Sequence, residues 1–498
     1  MKKFLRISGF ITLALLTLVA LGYAVENWRG SRAWSAEQAR IQKSGEPLVW
    51  PDMLPPAPSP ERNFAAIPLF EGLFDYEVVK DAKGRTRHKW KGGPASTRIM
   101  ETFRQPNPPK TDTNPKRART PALDLEATLA QLQNGTNYPK LTPSGKPAQD
   151  ILRLLESRTE AFDQLRLAAA RPECRFGIRY EDNIDALLPH LAALKAAAQL
   201  LRIRSIARLE TGERAAAADD IHLMLRLGDA AGSDPILISM LVRVAIHSIA
   251  ASTIWQGWQL DRWKSEDYQR FQTAFAAFNP RDAMVDSLRG ERIFSTSLVD
   301  LLKQEPSRYT EALGIESEAS PTLTLRLVPG GWLRFNQVAI SRTLDGLAQR
   351  ARTNSPSTAL SSLPDPTQMK DFGPLPYSFM ARMFVPAVSQ SFGKVDHTQV
   401  NILLVTTVCA IERYRADNNG KLPATLAALV PVYLTTVPIE PMSGKALAYK
   451  PGEAGDFELY SFGLDGQDDG GAGAIGSKTD QLDWAWPSRQ PSEDSHRF

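Results

Sequence analysis

Residues Ile7 to Val25 form a run of nineteen residues without a charge. About 20 apolar residues make a helix long enough to cross a bilayer, so the run fixes how this end of the chain can be housed. Lys2, Lys3 and Arg6 lie just before it. Basic flanks stay on the cytoplasmic side, which sends the remaining residues outward. A cleaved leader is the rival, and Gly22-Tyr23-Ala24 offers small residues spaced for signal peptidase. The run exceeds the roughly 7–15-residue apolar core of a leader. Helix-compatible sequence also continues through Trp28 and Trp34, whose rings suit the membrane interface. The reading is an uncleaved, single-pass anchor in an inner membrane, with the bulk of the chain on the periplasmic side. No cysteine lies near residue 24, which excludes a lipid-modified N-terminus.

The composition, 43% hydrophobic and 23% charged over 498 residues, excludes a wholly disordered or collagen-like chain. The net charge of +4 hides a split. Residues 80–119 hold twelve Lys/Arg against three Asp/Glu, whereas residues 451–498 hold three against ten. Outside the cytoplasm a basic stretch meets lipid headgroups, acidic polymer or plain solvent, so no nucleic acid is expected as a partner. Cys174 and Cys409 are the only cysteines. An extracytoplasmic setting permits them to pair, but Cys409 lies in an apolar helical stretch and reads as a buried free thiol.

Six segments follow from pattern. They are the anchor or leader (1–25), a juxtamembrane helix and Pro-rich tether (26–60), an irregular basic segment (61–120), a helical domain (121–345), a Ser/Pro-rich linker (346–389) and a C-terminal module (390–498). In the helical domain, apolar residues at helical spacing predict one helix from Ile184 to Ile206, closed by Thr211-Gly212-Glu213. Others are expected over Arg214 to Gly228, Ile236 to Gln256 and Ser265 to Phe278. Asp234 is expected to cap the third, with Pro235 as its first residue. That third segment is apolar enough to raise a second span, but Arg243 and His247 share one of its faces and favour a half-buried core helix. Short turns and small residues at the crossings suggest an antiparallel helical array, a geometry that commonly serves protein partners.

The C-terminal module carries a denser pattern. Tyr414-Arg415-Ala416-Asp417-Asn418-Asn419-Gly420 ends a long apolar helix, because Asn and Gly tolerate the left-handed conformation that terminates one. Pro438-Ile439-Glu440-Pro441-Met442-Ser443-Gly444 reads as a tight turn. Ala446 to Tyr449 and Phe457 to Phe462 alternate as short strands. Leu464-Asp465-Gly466-Gln467-Asp468-Asp469-Gly470-Gly471 closes the series as an acidic, Gly-rich loop.

Over about 100 residues, this order and spacing resemble the globular domain of the major pseudopilins of type II secretion systems. The resemblance implies a helix followed by a short antiparallel sheet. It also implies a calcium (Ca2+) site among Asp465, Asp468, Asp469, Asp480 and Asp483. Calcium takes six to eight oxygens from carboxylates and carbonyls on a flexible loop. The chain departs from the family in two ways. Some 370 residues separate the anchor from the module, and Ala14 stands where the family's N-terminal Glu is expected, which argues against a filament subunit. As a whole, the chain is similar to large membrane-anchored envelope proteins of planctomycete and verrucomicrobial type.

Catalytic patterns are not found. Gly471-Ala472-Gly473-Ala474-Ile475-Gly476 matches a dinucleotide fingerprint by letter but follows a run of carboxylates that would repel phosphate. Ser391-Phe392-Gly393-Lys394 lacks the companion motifs of penicillin-recognising enzymes. The six histidines show no metal-ligand spacing. The expected fold is mainly α with a small α+β C-terminal module. The expected role is a non-catalytic envelope protein whose helical scaffold binds a protein partner. An accessory component of a type II secretion-like apparatus and an envelope-polymer hydrolase are the alternatives.

Overall fold

The computed structural model describes residues 2–80, 86–91, 94–104, 122–306, 327–353, 359–362, 373–452, 456–471 and 483–486. The protein is mainly helical, with small antiparallel sheets and a long apolar N-terminal helix. That helix, α1 (Lys2–Lys43), changes character along its length. Through its apolar run the large side chains are exposed, whereas Trp34, Glu37 and Ile41 are buried. The short α2 (Trp50–Met53) then places Trp50 against Tyr180, with ring centroids 4.6 Å apart.

The segment expected to be irregular is partly ordered. Strands β1 (Tyr76–Lys80) and β2 (Thr86–Trp90) pair antiparallel with Tyr76 opposite Trp90. Helix α3 (Pro94–Phe103) follows and buries Ile99 and Phe103, which lie four residues apart on one helical face. Six basic residues at alternating and irregular positions hid these elements. Residues 81–85, 92–93 and 105–121 of this stretch lie outside the described residues.

The body comprises α4 (Leu125–Asn134), α5 (Pro147–Leu155), α6 (Thr159–Ala169), α7 (Pro189–Glu210), α8 (Arg214–Ala231), α9 (Leu237–Gln259) and α10 (Ser265–Ala276). It continues with α11 (Pro280–Gln304) and α12 (Gly330–Thr353). The turn between α7 and α8 uses Gly212 at φ +86°, a conformation that costs glycine nothing. Small residues, Ala197, Ala198, Ala217 and Ala218, are fully buried across these helices. Asp220 of α8 bridges back to Arg204 and Arg208 of α7.

Helix α9 is a core helix. Ile246, Ala250, Ile254, Trp255 and Trp258 are buried. Its charge is accounted for within the body: Arg243 donates to Asp229 at 2.6 Å and lies 3.9 Å from the Phe278 ring centroid. His247 packs among Phe275 and Phe278.

The region read as a Ser/Pro-rich linker contains the last turns of α12 and all of α13 (Phe379–Ser389); residues 354–358 and 363–372 lie outside the described residues. Helix α14 (Phe392–Asp417) and strands β3 (Ala448–Pro451), β4 (Phe457–Ser461) and β5 (Trp484–Trp486) complete the fold. The strands pair antiparallel in the order β3-β4-β5. The buried core does not break at residue 390. Phe271, Trp258, Val408, Ile411, Phe457 and Trp486 belong to one apolar cluster. Both cysteines are free, and Cys409 is fully buried.

Candidate functional site

The C-terminal turn and loop are built from local carboxylate hydrogen bonds. Glu440 is fully buried. Its oxygens accept from the Met442 and Ser443 amides at 3.0 and 2.7 Å, from the Ser443 hydroxyl, and from the Ser461 hydroxyl at 2.8 Å. One carboxylate therefore closes the Pro438–Gly444 turn and ties it to β4. Helix α14 ends as its sequence requires: Asn419 and Gly420 take positive φ, and the Gly420 amide donates to the Arg415 carbonyl at 2.9 Å.

In the acidic loop, Asp465 accepts from the Gln467 amide, and Asp468 accepts from the Gly470 amide and the Tyr460 hydroxyl, all within 3.1 Å. The Gly470 amide and the Tyr460 hydroxyl hold Asp468 below the usual carboxylate range. Asp483 is fully buried. Its Oδ2 accepts from the Asp469 and Gly471 amides at 2.9 and 2.7 Å, while its Oδ1 has no partner. Burial pushes the Asp483 carboxyl up, the two amides pull it back, and the Asp469 and Asp468 charges push it up again.

The loop thus brings Asp468, Asp469 and Asp483 into one electrostatic neighbourhood. Asp465 caps its own turn, and Asp480 lies outside the described residues. Among the described residues, no three carboxylates converge closely enough to enclose a metal ion. Asp483 Oδ1, buried and without a hydrogen-bond partner, is an oxygen of the kind calcium takes, and the described loop supplies only part of a coordination shell.

A second locus lies in the helical body, and sequence reasoning missed it. Asp234 does not cap α9. The cap position is Ile236, and the Leu237 amide is satisfied instead by Glu291 Oε1 of α11 at 3.0 Å. Asp234 accepts from the Tyr180 hydroxyl at 2.5 Å and pairs with His190 Nε2 at 2.9 Å. His190 is fully buried and stacks on Phe176, with centroids 4.1 Å apart. Burial, together with the Asp234 charge, drives the Tyr180 phenol far above its ordinary range, so it stays protonated.

Tyr180 lines two adjoining cavities. One, of about 890 Å³, lies between the Trp50–Ala57 segment, Trp34 and the 293–301 stretch of α11. The other, of about 460 Å³, is bounded by Ile184, Leu188, Ile236, Leu241 and Phe294. Asn183 sits in its wall at φ +54°, held by donating to the Phe294 carbonyl and Ser297 hydroxyl at 2.9 Å each. Asp234 lies 54 and 44 positions from Tyr180 and His190, so no local motif announces this network. Burial pushes the nearby Cys174 thiol up to about 12.

A third cluster joins the C-terminal half of α1 to the body. Glu37, fully buried, accepts from Arg40 at 2.7 Å, Ser341 at 2.8 Å and Arg342 at 3.0 Å. Glu26 accepts from Trp332 Nε1 and the Tyr377 hydroxyl at 3.1 and 3.0 Å. Arg40 reaches Asp345 at 2.5 Å, and Glu46 pairs with Arg289 and Arg352. These α1–α12 contacts join residues 304 to 306 positions apart, and Glu46 just beyond α1 reaches Arg352 at the same offset, so the two helices run parallel in constant register. Comparisons with family models, curated proteins and solved structures return no match to this chain.

Proposed function

We propose that this is a single-pass, membrane-anchored protein of the extracytoplasmic face, without catalytic activity, whose helical body serves as an interaction scaffold for a protein partner. The observation that carries the reading is the division of α1. Its first half offers an apolar, exposed surface to a bilayer, and its second half is ion-paired into the body. The basic N-terminal flank supports the outward orientation. The Tyr180–Asp234–His190 network lies inside the core, where Asp234 takes the Tyr180 hydroxyl and His190 Nε2 on its two oxygens, and this burial supports a structural role.

In the same reading, the pseudopilin-like C-terminal module takes calcium at its acidic loop, with Asp483 Oδ1 as the inner ligand and Asp468 and Asp469 beside it. Protease added to spheroplasts tests orientation. Digestion of the 26–498 region, with a fragment near the N-terminus left in carbonate-washed membranes, is the expected result. A body that stays intact until the inner membrane is lysed refutes the orientation. Mixing the detergent-solubilised chain with a purified major pseudopilin tests the accessory-component alternative, and absence of a complex counts against it.

A further inference from the structure

We propose that the body does not hang from its anchor on a tether but rests on the bilayer through a defined shoulder, made by Trp28, Leu327 and Leu375 with Arg32 and Lys303, which takes anionic lipid headgroups. This deepens the anchor reading and rests on it. The argument begins with rigidity. Gly30 of α1 and Gly331 of α12 touch backbone to backbone: a Cβ on Gly30 would stand 2.3 Å from the Gly331 carbonyl oxygen, and one on Gly331 would stand 1.9 Å from the Glu26 carbonyl oxygen. The Gly331 amide donates to Asn27 Oδ1 at 2.8 Å. With the Glu26, Glu37 and Glu46 contacts above, α1 is fixed to the body from the first turn beyond its apolar run. The Pro-rich stretch after it is therefore not what sets the distance between body and bilayer.

The register then gives each element a height. Helix α12 runs parallel to α1, so its N-terminus at Gly330 lies at the membrane end. Helix α11 runs antiparallel to α12: Arg292 contacts Asp345, Gln337 donates to the Thr296 carbonyl and pairs with Asp300, and Lys303 Nζ lies beside Gly330. Its C-terminus is thus also at the membrane end. Tyr377 reaches Glu26, and the Tyr23 hydroxyl reaches the Leu327 carbonyl, which brings the start of α13 and residue 327 to the same level.

At this level three large apolar side chains stand exposed. Leu375 is 64% exposed, Trp28 63% and Leu327 59%. Two cations lie at the same level. Arg32 lies 5.6 Å from the Trp28 ring centroid, and Lys303 is exposed at the end of α11. Of the acidic groups at this level, Glu26 is ion-paired with Arg29 at 2.5 Å, and Glu305 is the C-cap residue of α11, two residues from Lys303. Apolar and aromatic side chains interleaved with cations, continuous with a helix that enters hydrocarbon, fit the interfacial layer of a bilayer carrying negative charge.

The test uses the full chain in nanodiscs of phosphatidylcholine with and without phosphatidylglycerol. Nitroxide labels are placed by Leu13→Cys, Leu327→Cys, Leu375→Cys and Asp286→Cys, each an exposed position. Asp286 lies seventeen residues from Lys303 along α11, roughly 25 Å higher at 1.5 Å per residue. Cys409 is fully buried and Cys174 partly so, and both are replaced by serine in every labelled variant. The readout is collision with oxygen against collision with an aqueous nickel chelate.

The expected result is a deep label at 13, a nickel-exposed label at 286, and labels at 327 and 375 shielded from nickel several-fold relative to 286, more so with the anionic lipid. Labels at 327 and 375 as nickel-exposed as 286, with 13 still deep, overturn the shoulder and leave the anchor standing. Equal shielding in the two lipids overturns the headgroup part. An aqueous label at 13 overturns the anchor reading and the shoulder with it.

Discussion

Replacing Trp258 with alanine tests whether the helical body and the C-terminal module melt as one unit. Trp258 is fully buried at the C-terminal end of α9. Its Nε1 donates to Glu412 Oε1 of α14 at 2.6 Å, and its ring packs edge-on to Phe457 of β4 and Trp486 of β5 at 5.6 and 6.0 Å. The substitution removes a large buried aromatic, which costs about 3–5 kcal/mol. It also takes one donor from a buried carboxylate, a further ~1–3 kcal/mol where nothing replaces it. With ~2.1 cal/mol/K of unfolding entropy per residue, a body of roughly 400 ordered residues loses about 5 °C in Tm for ~4 kcal/mol. Calorimetry of the detergent-solubilised chain is the assay, with hydrogen exchange to locate the loss. The expected result is one transition, lowered as a whole, with amides of α8, α9 and β4 losing protection together. Two transitions, only one of which moves, would refute the shared core and restore an independent module.

Four other outcomes follow from named contacts. Gly331→Val drives a side chain into the Glu26 carbonyl and should part α1 from α12, so limited proteolysis should newly cut within 26–47 while the rest of the body resists. Glu37 is held below the usual glutamate range: burial pushes it up, but hydrogen bonds from Arg40, Arg342 and Ser341 outweigh that. A depressed carboxyl stabilises the fold above its unfolded pKa of about 4.3, and the gain is lost as pH falls through the folded value, so the same proteolytic site should open in wild-type protein below about pH 4. Burial, and secondarily Arg243, lowers His247 to about 3, so it folds neutral. His247 should therefore cost ~1.4 kcal/mol of stability for each pH unit below about 6.5, and His247→Phe should remove that share of the slope in a melt series, leaving the shares of His222 and His397, which burial lowers to about 4. If the acidic loop takes calcium, the ion raises Tm in proportion to the logarithm of its concentration, and Asp483→Asn abolishes the rise; an unchanged Tm across millimolar calcium in the wild type refutes the metal.

What could be read from the sequence is what short-range physics decides. The four helices from Pro189 to Ala276 fall within a few residues of their apolar periodicity, because each turn carries its own breaker, such as Thr211-Gly212-Glu213. Asn418-Asn419-Gly420 and the Pro438–Gly444 turn were equally legible, since positive φ and restricted φ are properties of the residues themselves. The errors share one cause. Asp234 has the right residue type and spacing for a cap, yet Tyr180 and His190, 54 and 44 residues away in the chain, claim both of its oxygens, and Glu291 supplies the cap. The ordered hairpin and α3 were hidden by charge, although burial of Ile99 and Phe103 alone suffices to seat the helix.

The boundary drawn at residue 390 follows a change in sequence character, whereas the core follows side chains. Trp258, Phe457 and Trp486 pack together across more than 200 residues of chain. The same distinction governs the anchor. Composition marks where the apolar run ends, at Val25, but only the 304–306 offset of its partners on α12 shows that the helix continues as a structural strut. A helix that continues from its apolar run into the body as a strut holds every surface of the body, the acidic loop included, in a fixed orientation relative to that run.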